Sequence, residues 1–188
     1  HTPTITKTYH NYLTLRGSQA NFVFILKEGT IKTSVFLQDG REFNLAYINE
    51  PSVISLLHNQ ALQYAEQPFS VRIETQQATF YQIRHHDFWH LVKHDDRLQD
   101  YVSHYYQLNL ANYLSRLQHV TMSGKIGALA SFLNSMGQRF GETLPENRGT
   151  LINFNLTNDD IAGFCGISAH TSVSRIMRQL HSEGIVDF

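Results

Sequence analysis

Arg175 and Arg178 stand in a short run that also holds His170, Thr171 and Ser174. Residues three and four apart share a face of an α-helix, so these side chains make one polar surface. Their chemistry suits the edges of base pairs. A guanidinium can fork onto guanine, Thr and Ser hydroxyls can donate or accept, and a Thr methyl can touch the methyl of thymine. Such a surface has to be positioned, and the stretch Leu156–Leu180 (LTNDDIAGFCGISAHTSVSRIMRQL) reads as two short helices. Thr157, with Asp160 three residues on, has the layout of a capping box, Asp standing for the usual Glu or Gln. Ile161, Ala162 and Cys165 line one face of the first helix, and Gly166 ends it. Ser168 is placed to cap the second helix, whose apolar side is Val173, Ile176, Met177 and Leu180. Two short helices about a tight Gly-containing turn make a helix-turn-helix. An ordinary helical hairpin with a polar outer face fits the same residues.

The 188 residues allow one large domain or two small ones, and a hydrophobic content of 41% is enough for real cores. The formal charge of −1 gives no global basic signature. From Met122 to Phe188 there are five Lys and Arg against six Asp and Glu. That weighs against strong non-specific DNA binding, which rests on neutralised phosphates. The relief is local, since Ala169 to Ser182 holds two Arg and no acid. The single cysteine, Cys165, excludes an intrachain disulfide framework, a cysteine-rich zinc site and a four-cysteine iron–sulfur cluster from one chain. There is no signal peptide and no apolar stretch of about 18 residues, so the expected location is cytoplasmic, with no membrane partner. The chain starts at His1 without Met, which fits a chain cut at its front.

Residues 1–84 read as strands. Asn21–Leu26, Ile31–Leu37, Glu42–Ile48, Phe69–Glu74 and Thr79–Ile83 are rich in Val, Ile, Phe, Tyr and Thr, with turns at Lys27-Glu28-Gly29 and Gln38-Asp39-Gly40. They predict a sandwich or barrel. Pro51 opens a connector with a short helix expected at Val53–His58. Residues 86–94 read as helical, and His86, His90 and His94 recur every fourth position on one face. This spacing can bind a metal; a wet face on a chain with 11 His accounts for it as well. Phe88, Trp89, Leu91 and Val92 would pack that helix on the barrel.

From Asp96 to about Val120 runs the longest helical stretch, without Gly or Pro. Leu98, Tyr101, Val102, Tyr105, Leu108, Ala111 and Leu117 supply one apolar stripe, and Tyr106, Leu110 and Leu114 a second. A helix apolar on two sides needs two covers. One is its own barrel; the other is the same helix of a second chain, or a further part of one subunit. Ser123-Gly124-Lys125 interrupts the pattern as a hinge. Lys125–Phe140 resumes a helix with Ile126, Leu129, Ala130, Leu133 and Met136 inside, Gly141–Gly149 is a loop, and Leu151–Asn155 a short strand. Gly184 ends the last helix, and Ile185–Phe188 begins the strand of a wing whose return strand lies outside this sequence. The fold class is α+β: an N-terminal antiparallel β-barrel (1–95), a long dimerisation helix (96–121) and a C-terminal winged helix-turn-helix (122–188).

This order of elements resembles the Crp/Fnr family of transcription regulators, from about Tyr9 to Phe188. Phe22–Gly29, Asp39-Gly40 and Ala46–Ile48 follow the pattern of the family's cyclic-nucleotide-binding-like jelly roll. Ser123–Gly127 (SGKIG), the loop around Gly141–Asn147 and Ala169–Ile176 (AHTSVSRI) look closest to the PrfA-like branch, that of the listerial virulence regulator. The resemblance implies a cytoplasmic homodimer, an activator partnered by RNA polymerase, that puts two recognition helices into successive major grooves of double-stranded DNA at a near-palindromic site. It implies a guanine contact for Arg175, base-reading positions at Thr171 and His170, and a phosphate contact at Ser172. With Thr157, Ser174 and Arg178 these are the candidate DNA contacts.

The departures bear on the signal. The family's cyclic-nucleotide pocket needs a Gly-Glu pair and an Arg-Ser/Thr pair. Here the region reads Pro51-Ser52-Val53-Ile54-Ser55-Leu56-Leu57 and Glu66-Gln67-Pro68-Phe69-Ser70, so no cyclic AMP binding is expected. PrfA-like proteins respond to glutathione or peptides, which implies a small-molecule or peptide effector; Tyr47, Tyr64, Tyr101 and Tyr105 are the candidates to line its pocket, or are core aromatics. No cofactor or resident metal is expected. Two rival functions fit parts of the pattern: a cupin-like metal-dependent enzyme using His85, His86 and His90, and a sensor module whose helix-turn-helix meets protein only.

Overall fold

The computed structural model describes residues 2–56, 66–122 and 124–187. The chain divides into two compact units, residues 1–37 with 44–109 and residues 38–43 with 110–188.

The first unit is built on two four-stranded sheets. One runs β1 (Thr4–Thr8), β8 (Gln77–Arg84), β3 (Phe22–Glu28), β6 (Ser52–Val53); the other runs β2 (Tyr12–Thr14), β7 (Ser70–Ile73), β4 (Ile31–Phe36), β5 (Glu42–Ile48). The strand β3 explains why its sequence is a continuous apolar run rather than an alternation. Leu26 faces a core shared with Ile31, Val71, Ile73, Ala78 and Phe80, while Val23 faces Val53, Phe88, Trp89, Val92 and Val102. A strand buried on both faces has no use for polar positions. The antiparallel β-barrel or sandwich expected from the turns is therefore present, with strands at all five predicted runs.

The structure adds β1 and β2, which the sequence reading left unnamed. β1 (TITKT) has four polar residues in five and sits at a sheet edge against β8. Little of it enters a core, so it sends a weak apolar signal. The expected helix at Val53–His58 is not formed over residues 53–56, and residues 57–65 lie outside the described residues. Val53 pairs with Ile25 across the β3–β6 ladder, and the Ile54 N–H donates to the Phe24 carbonyl at 3.0 Å. The Ile54 carbonyl, which a helix would use as an acceptor, accepts instead from the Tyr105 hydroxyl.

α1 (His85–His94) packs through Phe88, Trp89 and Val92, while Leu91 is exposed. The first half of α2 (Asp96–Met122) follows through Leu98, Val102 and Tyr105. Asp95 caps it by accepting from the N–H groups of Arg97 and Leu98, and the Arg97 guanidinium holds the Asp95 carboxyl below the usual carboxylate range. Three tyrosines of α2 fix the segment 53–56. Tyr105 donates to the Ile54 carbonyl at 3.1 Å, Tyr106 donates to the Leu56 carbonyl, and the Tyr101 hydroxyl accepts from the Val53 N–H at 3.5 Å. Burial pushes the Tyr106 phenol up. Tyr106 is itself 38% exposed, and beyond this anchor the helix carries Leu110, Tyr113, Leu114 and Leu117, exposed by 42–60%.

The second unit packs α3 (Gly124–Phe140), α4 (Asn158–Cys165) and α5 (His170–Ser182) around one core. Ala128, Leu129 and Met136 are buried, with Phe132 and Leu133 beside them. Ile126 and Ala130, expected inside, are exposed instead. Leu129, Leu133 and Met136 face the core as expected, while Ala128 and Phe132 take the inward places expected of Ile126 and Ala130. The expected loop Gly141–Gly149 is a small hairpin. β9 (Gly141–Thr143) pairs with β10 (Thr150–Ile152) around a 3₁₀ turn at Pro145–Asn147. Residues 185–187 form no strand. A strand needs a partner, and among the described residues none pairs with them; the Val186 carbonyl instead accepts from the His181 ring at 3.1 Å.

Gly29 sits at φ +102°, where a Cβ would lie 2.7 Å from the Ala78 Cβ and from the Gln77 carbonyl oxygen. Gly40 has a similar φ of +82° but open space around it. Gly29→Ala should therefore cost more than Gly40→Ala, about 1–3 kcal/mol from strain alone plus the clash. Urea unfolding of both variants measures the difference.

Candidate nucleic-acid interface

The first helix of the pair starts as its sequence requires. Thr157 Oγ1 accepts from the Asp160 N–H at 3.0 Å and donates to Asp160 Oδ2 at 2.7 Å, while the Thr157 N–H reaches the same carboxylate at 3.3 Å. This is a complete capping box, and it leaves Asp160 buried. Gly166 ends α4 at φ 64°, ψ 26°, and the Ala162 carbonyl accepts from the N–H groups of Gly166 and Ile167. Ile167 then drops from the turn into the core at 4% exposure.

α5 starts without a side-chain cap. Ser168 was expected to cap it, but the helix begins one residue later, on Ala169. The Ala169 carbonyl accepts from the Ser172 N–H at 3.0 Å. A first turn with no side chain over its N–H groups offers a positive helix end to an anion.

Burial divides α5 cleanly. Val173, Ile176 and Leu180 are 0–5% exposed and Met177 packs beside them. Thr171, Arg175 and Arg178 are exposed on the other side, with His170 at the start of the helix and Ser172 and Ser174 half-buried between. Among the described residues Arg175 has no acidic partner. The Arg178 Nε donates to the Ser174 carbonyl at 3.3 Å, which draws that guanidinium back along the helix. Ser174 Oγ accepts from Asn158 Nδ2 at 3.0 Å and donates to the His170 carbonyl at 3.3 Å, a tie between the two helices. His170 Nδ1 lies 3.7 Å from Asp159 Oδ1, both well exposed, a contact that is an ion pair only with the imidazole protonated and that water and salt weaken. Asn158 and Asp159 are thus part of this surface, and the sequence reading omitted them. Their signal was the register of the capping box, which puts N1 and N2 of α4 beside the start of α5.

The remaining sequence candidates are dispersed. Tyr101 and Tyr105 reach the segment 53–54, Tyr47 is buried on β5, and Tyr64 lies outside the described residues. His85, His86 and His90 all belong to α1 rather than to strands, and His85 Nε2 accepts from the Trp89 indole at 3.0 Å. Among the described residues no three His, Cys, Asp or Glu side chains converge as a metal site, and no helix is long and apolar enough to cross a membrane.

A buried capping box, a Gly-terminated first helix and an outward basic face define a helix-turn-helix DNA-binding domain, and residues 127–188 match the Crp-like helix-turn-helix domain family. The chain is 47% identical over 186 residues to the lactate racemization regulatory protein of Lactiplantibacillus plantarum, covering 99% of this chain and 83% of that one. It is 23% identical over 180 residues to the anaerobic regulatory protein of Bacillus subtilis, covering 94% and 72%. Among solved structures, the c-di-GMP responsive global regulator CLP of Xanthomonas campestris shares the fold with a TM-score of 0.85 at 13% identity, covering 100% of this chain and 90% of that one. FixK2 of Bradyrhizobium japonicum does so at 0.77 and 16%, covering 99% and 87%. The molecule is a DNA-binding transcription regulator and not an enzyme. It belongs to the Crp/Fnr family. The cupin-like reading is thereby overturned, and so is the reading of a helix-turn-helix that meets protein only.

Thr157→Ala should lower stability by about 1 kcal/mol, since it removes the cap that accepts the Asp160 N–H. Arg175→Ala should change it by less than about 0.5 kcal/mol, because an exposed side chain with no acidic partner among the described residues leaves no buried group unsatisfied. Chemical denaturation of the two variants checks both.

Proposed function

We propose that this regulator acts as a homodimer whose two α5 helices enter successive major grooves of a near-palindromic promoter site. Arg175 reads a guanine, Thr171 and His170 read neighbouring bases, and Ser172, Arg178 and Thr157 touch the backbone. Ser174 orients α4 against α5 as well as facing the groove. The observation that carries this reading is the division of α5: a buried apolar side fixes the helix, so Arg175 and Thr171 are held outward together. Arg175→Ala should relax discrimination at one base pair per half-site, by about 1–3 kcal/mol. Fluorescence anisotropy with operator variants at fixed salt reads it. A variant as selective as the native chain would overturn the orientation assigned to the helix.

The exposed stripe on α2 supports the dimer. Tyr106, Leu110, Tyr113 and Leu117 are spaced four, three and four apart, the seam period of a coiled coil, with Leu114 beside it. Leu110→Glu with Leu117→Glu should yield a folded monomer with operator affinity sharply reduced. Sedimentation and circular dichroism together test this, because both side chains are 60% exposed in one chain and their loss spares its cores.

The functional division is a sensor barrel at 1–95, a dimerisation helix at 96–121 and a DNA-binding unit at 122–188. A small molecule or peptide other than cyclic AMP shifts the packing of barrel and helix, with Tyr47, Tyr64, Tyr101 and Tyr105 as the residues to probe. The change is passed through the hinge expected at Ser123–Lys125, of which Ser123 lies outside the described residues and Gly124 has φ +61°. Coupling of about 1–3 kcal/mol is sufficient. The regulator works in the cytoplasm as an activator, in contact with RNA polymerase, and belongs with the PrfA-like branch. Its 47% identity to a lactate racemization regulator makes the promoter of a lactate racemase the first DNA to test.

A further inference from the structure

Three histidines of α1 play no part in the DNA-binding face. His86, His90 and His94 are exposed and follow one another at four-residue steps. The His86 and His90 rings are stacked with centroids 6.5 Å apart, and the His90 and His94 rings are 4.5 Å apart. Imidazole is a ligand for zinc-class divalent cations. Two nitrogens bound to one tetrahedral Zn²⁺ at about 2.0–2.1 Å lie roughly 3.3 Å apart, which puts the ring centres roughly 5 Å apart. The two observed separations bracket that value. Eight residues of helix are too long for all three rings to reach one ion, so the unit is a two-histidine chelate with His90 shared.

The tautomers are already arranged for it. His94 Nδ1 lies 2.8 Å from the His90 carbonyl oxygen. A carbonyl only accepts, so Nδ1 carries the hydrogen, and in the neutral ring Nε2 keeps the lone pair. His86 Nδ1 lies 3.5 Å from Asp87 Oδ1, and a carboxylate imposes the same choice. A metal-binding histidine characteristically donates its second ring N–H to a carbonyl or carboxylate in this way.

We propose that α1 holds a zinc-class divalent cation between the Nε2 atoms of His90 and His94, with His86 and His90 as the alternative pair, the other positions being filled by water. Such an ion would staple the last turns of a helix whose first turn has no side-chain cap. It would sit next to Asp95, the residue that starts α2. Binding to the folded chain alone raises its stability.

The test is a Zn²⁺ titration of the full chain, stripped of metal with a chelator, by calorimetry and by NMR of the imidazole nitrogens. The expected result is a site in the native chain that weakens at least tenfold in His90→Ala, which removes the ligand both pairs share, and in the double variant His86→Ala with His94→Ala, while His104→Ala on α2 leaves it unchanged. The Nε2 resonances of His90 and His94 should shift as Nδ1 of His94 keeps its proton. A rise in melting temperature with Zn²⁺ should disappear in His90→Ala. Equal binding by the native chain and His90→Ala, or unmoved His90 resonances at a tenfold excess of Zn²⁺, overturns the proposal. The three side chains are on the surface, and circular dichroism of each variant confirms that it is folded.

Discussion

Val173, Ile176 and Leu180 leave water almost completely when α5 docks, and they do so against Leu129, Ile161, Ala162, Cys165 and Ile167. Burying a side chain of this size is worth about 1.5–3 kcal/mol, so the rotation of α5 about its axis is not negotiable. A helix turns by 3.6 residues. Once 173, 176 and 180 point inward, 171, 175 and 178 must point out. The chemistry of the proposed DNA-binding face is thus a consequence of the apolar face behind it. Ile167 and the left-handed Gly166 set where that apolar face begins, and the Thr157–Asp160 box sets where α4 begins. The Asn158–Ser174 hydrogen bond then ties the two polar surfaces together across the turn.

The helix α2 answers a different constraint. Its first turns bury Leu98, Val102 and Tyr105, and its tyrosines satisfy backbone groups of the segment 53–56. These groups would otherwise be costly to remove from water. Further along, its apolar side chains are exposed. A helix with one end anchored in a core and an apolar stripe beyond it has a face suited to a second copy of itself, and this is the basis of the dimer proposed above.

The elements were legible wherever period and punctuation agreed. Thr157 with Asp160, Gly166, and the 173–176–180 spacing each carry their own geometry, so α4, the turn and α5 could be read in place. The strands at 22–28, 31–36 and 42–48 were legible because their apolar runs are long and their turns marked. β1 was not, because an edge strand of mostly polar residues contributes few side chains to any core. The helix expected at Val53–His58 failed over residues 53–56 because a ladder partner, Ile25, lies 28 positions away in the chain. The cap assigned to Ser168 failed by one residue, since Ala169 supplies a carbonyl that no side-chain pattern announces.

The sequence by itself determined the periods, the caps and the identities of the outward side chains on α5, because these depend on neighbours within a turn or two. Only the tertiary structure decided which of two adjacent faces of α3 turns inward, that Asn158 and Asp159 flank the start of α5, and that three tyrosines fasten residues 53–56. Those outcomes depend on which distant backbone groups and cores arrive alongside, and hydrogen bonding and burial across long separations leave no local trace in the order of residues.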